Sequence, residues 1–366
     1  MNFTLSEEHE ALRDVAKKFL AKEVSHSKLL VPGATVEQSG YEQLWPKIVE
    51  LGWPAIVIPE RFGGLGMTYI DLAMIVGEMG RFLAAAPLFG TLAGCWAIEK
   101  AGDEKQKSDL LGAVAAGKLK LAFAEGRGAV AATPHGANYL LNGSCEFVVD
   151  AQAADRIVVM ATSGAEDKFF IVDANAKNVA VKVLDWRDIT RQVCSVSFDD
   201  APCELLNKSD RGALQWIRNR LYLVLAAESA AGTEKVLADA VGYAKERVAF
   251  GRPIGSFQAI KHQLAEIAGI SECAMAGVHY AAWALTEGDS KADLACAMAQ
   301  SYASEAYRDA TYRNIQVFGA IGFTWEMSNH LYYKRARANS ELLGAPRHQR
   351  EEIVRLLESD PRLLAA

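Results

Sequence analysis

Arg247-Val248-Ala249-Phe250-Gly251-Arg252-Pro253-Ile254-Gly255-Ser256-Phe257-Gln258-Ala259-Ile260-Lys261-His262 is the stretch on which the fold of this chain turns. Its first residues close a run of apolar residues at helical spacing, Trp216 to Val248, and its last residues open another, Gln258 to about Leu285. Between them Gly251, Pro253 and Gly255 break the period and predict a tight turn. Further along, Lys291 to Phe318 and Arg347 to Leu357 are amphipathic too, the second behind Pro346 at a first helical position. Four such helices bury their apolar faces against one another, which predicts a helical bundle over 209–366.

Toward the N-terminus the period changes to two. Short β-rich runs at Leu119 to Phe123, Tyr139 to Leu141, Arg156 to Met160, Phe169 to Val172, Val179 to Val183 and Val193 to Phe198 are bounded by Gly, Asn and Asp. Asn142-Gly143 predicts a turn. Together they predict a small β-domain over 119–208. From Ser6 to Gly117 the pattern is helical, cut by Pro32-Gly33, Pro54, Pro59 and Pro87, with Ser6 opening a capping box ahead of Glu8 and His9. The fold class is therefore α+β: a helical N-terminal domain over 1–118, a central β-domain and a C-terminal bundle.

Composition narrows the function. The 366 residues are 51% hydrophobic and carry a net charge of −6, with no basic block to form a nucleic-acid footprint. No apolar run reaches membrane-spanning length. The opening Met1 to Glu10 is acidic, lacks the basic and apolar regions of a signal peptide, and reads as a helix start; a cytoplasmic location is expected. The six cysteines are scattered without a C-x-x-C pair, which argues for reduced apolar thiols and against disulfides or zinc.

Two junctions carry the chemistry. Arg247 and Arg252 present guanidinium forks suited to phosphate oxygens, and the Gly251–Gly255 turn brings backbone N–H groups to a helix N-terminus, where an anion is favoured. A solvated arginine at an ordinary helix-turn-helix is the alternative. The second junction, Asn314 to Glu326, offers the Gln316 amide and the close backbone approach of Gly319 and Gly322. His262 reads as a helix-face residue, Trp325 and Tyr332-Tyr333 as filling between bundle helices, and Asp185-Trp186-Arg187-Asp188 as a loop without assignable chemistry.

These two junctions, together with Pro59-Glu60-Arg61-Phe62-Gly63-Gly64-Leu65-Gly66 and Val76-Gly77-Glu78-Met79-Gly80-Arg81, resemble the acyl-CoA dehydrogenase flavoproteins over nearly the whole chain. Phe323-Thr324-Trp325-Glu326 followed by Tyr332-Tyr333-Lys334-Arg335-Ala336 resembles the smaller bacterial members, several of which are subunits of α2β2 enzymes. The resemblance implies FAD, with Arg247, Phe250 and Gln258 on its pyrophosphate and adenosine half. It also implies cofactor contact from Gln316, Gly319, Ala320 and Gly322, where Ala320 replaces the second of two glycines usual in the family. It further implies an acyl-CoA substrate and an electron-transfer flavoprotein-type acceptor.

The implied reaction is α,β-dehydrogenation: a carboxylate takes the α-proton while the β-hydrogen leaves as hydride to the flavin. By resemblance the base stands at one of two positions, and here these hold Leu343 and Leu221. Glu341 lies two residues off the first, about 200° around a helix if the segment is helical. The family's Thr-Glu-Pro and Gly-Ser-Asp are replaced by Ala124-Glu125-Gly126 and a shortened loop from Arg127 to Thr133, and its Trp-x-Thr by Phe147-Val148-Val149. Phe147 can still stack on a flavin; Val149 cannot donate the hydrogen bond of a threonine. In this family each FAD crosses a subunit interface. The chain therefore reads as the base-lacking partner subunit of a heteromeric dehydrogenase acting on a bulky thioester, such as a steroid side-chain CoA ester in lipid metabolism. The alternatives are a self-sufficient homo-oligomer whose base is Glu125 or Asp150, a flavin-free scaffold subunit, and a flavin monooxygenase on the same fold.

Overall fold

The computed structural model describes residues 5–208 and 212–364. Met1–Thr4 of the expected helix start and residues 209–211, where the bundle was expected to begin, lie outside the described residues. Five helices come first: α1 (Glu7–Glu23), α2 (Tyr41–Glu50), α3 (Tyr69–Arg81), α4 (Leu88–Ala101) and α5 (Glu104–Ala115). The Ser6 hydroxyl accepts from the His9 N–H at 3.2 Å, and His9 itself closes the capping box. α4 has apolar residues all round because it is covered on every side, and Leu92, Trp96 and Ile98 have no exposed surface. It lies close on the first strand: a Cβ at Gly94 would stand 2.5 Å from the Leu121 Cβ.

Seven strands follow: β1 (Leu121–Glu125), β2 (Val130–His135), β3 (Asn138–Val149), β4 (Arg156–Ser163), β5 (Glu166–Asp173), β6 (Val179–Val183) and β7 (Val193–Leu205). β1 and then β2 share one edge of β4, β5 takes the other, and the path β4-β2-β3-β7-β5 returns to β4, closing the sheet into a small barrel; β6 pairs with β7. Two local expectations are corrected. The Arg127–Thr133 loop is in part a strand, β2, pairing with β3 from Val130↔Gly143 to His135↔Asn138. Asn142-Gly143 is a bulge within β3 and makes no hairpin turn. Gly143 has φ +126, and a Cβ there would lie 2.1 Å from the Ala129 carbonyl, while the Asn142 amide is engaged by Asp200 across the sheet.

The C-terminal part holds α6 (Ala213–Glu246), a two-residue hairpin β8 (Val248–Ala249) and β9 (Arg252–Pro253), α7 (Gln258–Glu287), α8 (Ala292–Phe318), α9 (Asn329–Asn339) and α10 (Pro346–Ser359). Helix α9 adds a fifth, short member to the expected four. Helix α6 is the axis, buried almost continuously from Ile217 to Thr233. Gly232 lets it approach α8, since a Cβ there would meet the Tyr307 ring at 2.5 Å. One core cluster runs from the N-terminal helices through β1 into α6, α7 and α8. The barrel has its own core around Val159, Phe170 and Val196.

Among the described residues no helix is long and apolar enough to cross a membrane, and all six cysteines are free, five of them buried.

Candidate functional site

At the first junction α6 ends at Glu246 and the chain turns extended at Arg247. The β8–β9 hairpin then reverses through Phe250 (φ +54) and Gly251 (φ +79), two successive left-handed residues as a tight hairpin requires. Phe250 is 95% exposed, so a large ring in a costly backbone conformation is held out in solvent. The Arg252 guanidinium lies 4.2 Å over the Phe257 ring, whose edge meets Phe250 at 6.1 Å between centroids. Helix α7 begins at Gln258 with no side-chain cap; Arg247, Arg252 and Gln258 are exposed.

The second junction sits beside the first. Helix α8 ends at Phe318, whose ring stacks 4.1 Å from that of Tyr243, and Val317 shares a small buried cluster with Ala240, Ala244, Ile254 and Ile260. The chain leaves the helix through Gly319, at φ +68 and ψ −147, into a 3₁₀ turn to Phe323. Gln316, Gly319 and Ala320 are exposed, and a Cβ at Gly319 would meet nothing within 4 Å. Gly322 is buried, and its missing Cβ is required by packing, 2.8 Å from the Phe318 Cβ. Two guanidinium groups, an uncapped helix start and an open glycine on one end of the bundle fit the phosphate and adenosine half of FAD.

The residues expected around the flavin ring lie elsewhere. A cleft of about 230 Å³ lies between α4, β1, β3 and α6. Leu221 and Leu343 both line it, with Phe123, Phe147 and Val149. Phe147, at φ +60 in the second bulge of β3, is 56% exposed and leans on Trp186 at 5.9 Å. Val149 is buried and offers no side-chain donor. Two carboxylates reach the cleft. Glu125 has both oxygens held by Arg218, at 2.6 and 2.8 Å from Nη2. Glu146, which the sequence did not single out, stands exposed at the rim, and a base needs a partly desolvated place.

Asp150, the other proposed base, does not line this cleft. It is buried, accepts from the Tyr41 hydroxyl at 2.7 Å and the Gly90 N–H at 2.9 Å, and burial pushes its pKa up to about 6 against those bonds. It borders a small space of about 20 Å³ with Arg191, Glu228 and Arg335. Arg335 is fully buried, 2.5 Å from Asp188 and bonded to the Thr190 carbonyl at 2.7 Å, while Arg191 pairs with Glu228. A space of that size is too small for an acyl chain. Asp185–Asp188 thus carries structure: Asp188 anchors Arg335 and Trp186 backs Phe147. Glu341 lines a separate cleft with Trp186, Tyr333 and Lys334, His262 is exposed on α7, and Trp325 is half-exposed while Tyr332 is buried with its hydroxyl on the Arg81 carbonyl.

Comparison with known proteins matches residues 6–118 to the acyl-CoA dehydrogenase N-terminal domain and 215–357 to the C-terminal domain. Acyl-CoA dehydrogenase IpdE2 of Mycobacterium tuberculosis is 35% identical over 98% of both chains. A variant of the Tcur3481–Tcur3483 steroid ACAD superposes with a TM-score of 0.87 at 26% identity, covering 98% of this chain and 99% of that one. The ChsE4–ChsE5 complex from Mycobacterium tuberculosis has the same fold, with a TM-score of 0.89 at 24% identity over 99% of this chain and 100% of that one. The chain belongs to the acyl-CoA dehydrogenase family, FAD-dependent oxidoreductases acting on CH–CH bonds.

Proposed function

We propose that this chain is the base-lacking partner subunit of a heteromeric acyl-CoA dehydrogenase, reaching with its two junctions toward an FAD whose ring and catalytic carboxylate belong to the other subunit. The observation that carries this is the cleft in which Leu343 and Leu221 stand together and the carboxylates are either tied to Arg218 or solvated. FAD, when bound, accepts the β-hydrogen as hydride. In this reading Arg247, Arg252 and Gln258 bind its phosphates, Phe250 covers the adenosine, and Gln316, Gly319 and Ala320 form the second wall, with Gly322 shaping the turn beneath. The substrate in this reading is a bulky acyl-CoA, such as a steroid side-chain CoA ester. The steroid ACAD neighbour, with its two-component name, supports the same choice. An electron-transfer flavoprotein-type protein takes the electrons.

The self-sufficient alternative lacks support, since both oxygens of Glu125 and of Asp150 already accept hydrogen bonds. The test is flavin stoichiometry. Purified alone the protein retains FAD at well below one per chain, and co-purified with a family member that carries the missing Glu it forms a stable yellow complex. One tightly bound FAD per chain in the isolated homo-oligomer overturns the partner reading.

A further inference from the structure

Trp186, the ring against which Phe147 leans, is also a wall of a second cleft. This cleft, about 580 Å³ and largely apolar, lies between the 185–188 loop and α9, with Phe323, Tyr333 and Ala338 in its other walls. Phe323 closes the 3₁₀ turn that starts at Gly319, and 67% of it is exposed. The cleft is therefore continuous with the second junction. Trp325, partly exposed in the turn that follows, meets the edge of the His330 ring at 4.7 Å between centroids, and Lys334 Nζ lies 4.8 Å over its face. Two buried polar atoms in the cleft walls have no hydrogen-bond partner, Trp186 Nε1 and His330 Nε2. His330 is 5% exposed, and burial, with Lys334 beside it, holds its pKa down at about 4, so the ring is neutral. A buried nitrogen left unpaired costs stability, and the cleft is where a partner for it can enter. The rim is charged: Arg187, Lys334 and Arg337 border the cleft with Asp185 and Glu341, and among the described residues none of the five forms an ion pair. Unpaired charges of both signs around an apolar hollow with aromatic walls suit a protein surface better than a single small anion.

We propose that this cleft is the seat of the other subunit on this chain. The segment that fills it carries an apolar side chain into the hollow, a hydroxyl or amide group to His330 Nε2, and charges opposed to those of the rim, with acidic groups in excess because three cations face two carboxylates. This rests on the partner-subunit reading, in which the second junction reaches toward that same subunit, and adds to it a protein contact that does not pass through FAD.

Sedimentation of the full chain with the Glu-carrying family member that co-purifies with it tests this, in excess FAD, using wild type, Arg337→Glu and His330→Phe. Arg337→Glu sets like charges against each other and is expected to weaken the complex about tenfold or more. His330→Phe removes one hydrogen bond across the contact and is expected to weaken it about two- to tenfold. Alone, neither variant should melt below wild type, since Arg337 is exposed and phenylalanine removes an unpartnered nitrogen. A purely structural role for His330 predicts no change in the complex. Complexes of wild-type strength in both variants overturn the proposal and leave the partner-subunit reading standing. A wild-type homodimer that Arg337→Glu dissociates, with the complex unchanged, assigns the cleft to a second copy of this chain and overturns it too. If wild type forms no complex at all, the partner-subunit reading falls and takes the proposal with it. If His330→Phe fails to fold, Arg337→Glu decides.

Discussion

Leu343, in the turn after α9, and Leu221, in the N-terminal third of α6, line the same cleft. Each occupies a position at which the family resemblance places a carboxylate, so the two absences concern one reaction centre. A hydrocarbon at both means that neither of these two positions supplies a proton acceptor. The exposed junctions at Arg247 and Gly319 lie together at the C-terminal ends of α6 and α8.

Arg247→Ala is expected to weaken FAD retention in the heteromeric complex. Each charge-assisted hydrogen bond from a guanidinium to a phosphate oxygen contributes about 1.5–3 kcal/mol, a factor of about 10 to 150 in affinity. Arg247 is exposed at the helix end, so the fold should melt unchanged. Flavin released per subunit on dilution, followed by fluorescence, gives the result; retention equal to wild type would reduce Arg247 to an ordinary surface residue.

Asp150 makes a pH-dependent prediction. Its folded pKa, raised by burial to about 6, exceeds the unfolded value of about 3.9, so its stabilising contribution is full below pH ~4 and fades as pH rises through about 6. Two pKa units at about 1.36 kcal/mol each give a loss of roughly 3 kcal/mol across that window. Asp150→Asn loses one hydrogen bond, to Tyr41 or to Gly90, at every pH, but it escapes the titration. The stability advantage of wild type over Asp150→Asn should therefore shrink between about pH 4 and pH 7 in urea unfolding. A constant difference would show that the carboxyl is not raised.

Long helices and most strands were legible because their apolar faces repeat at 3.6 or 2 over enough residues to set a period. β2 was hidden: Val130-Ala131-Ala132-Thr133-Pro134-His135 has small, weakly apolar side chains and gains its pairing from β3. Asn142-Gly143 carries a hairpin signal that the sheet uses for a bulge, because Asp200 on the facing strand holds the Asn142 side chain. Leu343 and Leu221 could be singled out from sequence because the family resemblance points to their positions, and the structure brings both to one cleft. The Glu125–Arg218 pair and the Asp188–Arg335 pair could not, because each joins residues far apart in the chain that only the packing of barrel on bundle brings together.

Gly143 and Gly136 separate steric from conformational cost in that same sheet. Both have positive φ, +126 and +63, but a Cβ at Gly143 would strike the Ala129 carbonyl at 2.1 Å, whereas at Gly136 it would meet nothing within 4 Å. Gly136→Ala should cost about 1 kcal/mol and Gly143→Ala about 2–3 kcal/mol or more. Thermal melting of the two variants side by side decides; equal losses would mean that the bulge relaxes without strain.

The last prediction concerns the missing base. Leu343→Glu puts a carboxylate into the cleft beside Phe123 and Leu221, where partial burial would raise its pKa as a base requires. It restores nothing on the flavin side, where Val149 has no donor and Phe147 leans on Trp186. Proton removal and hydride acceptance must occur in one site, so one half alone gives no turnover. Leu343→Glu in the isolated protein is expected to show no measurable acyl-CoA oxidation in a dye-reduction assay, whereas removing the corresponding Glu of the partner subunit abolishes activity of the complex. Isolated wild-type protein, shown free of any partner, that turns over an acyl-CoA at about 1 per second or faster would refute this. Glu125, Glu146, Asp150 and Glu341 would then be replaced by their amides one at a time, and the variant that loses turnover without losing flavin would identify the base.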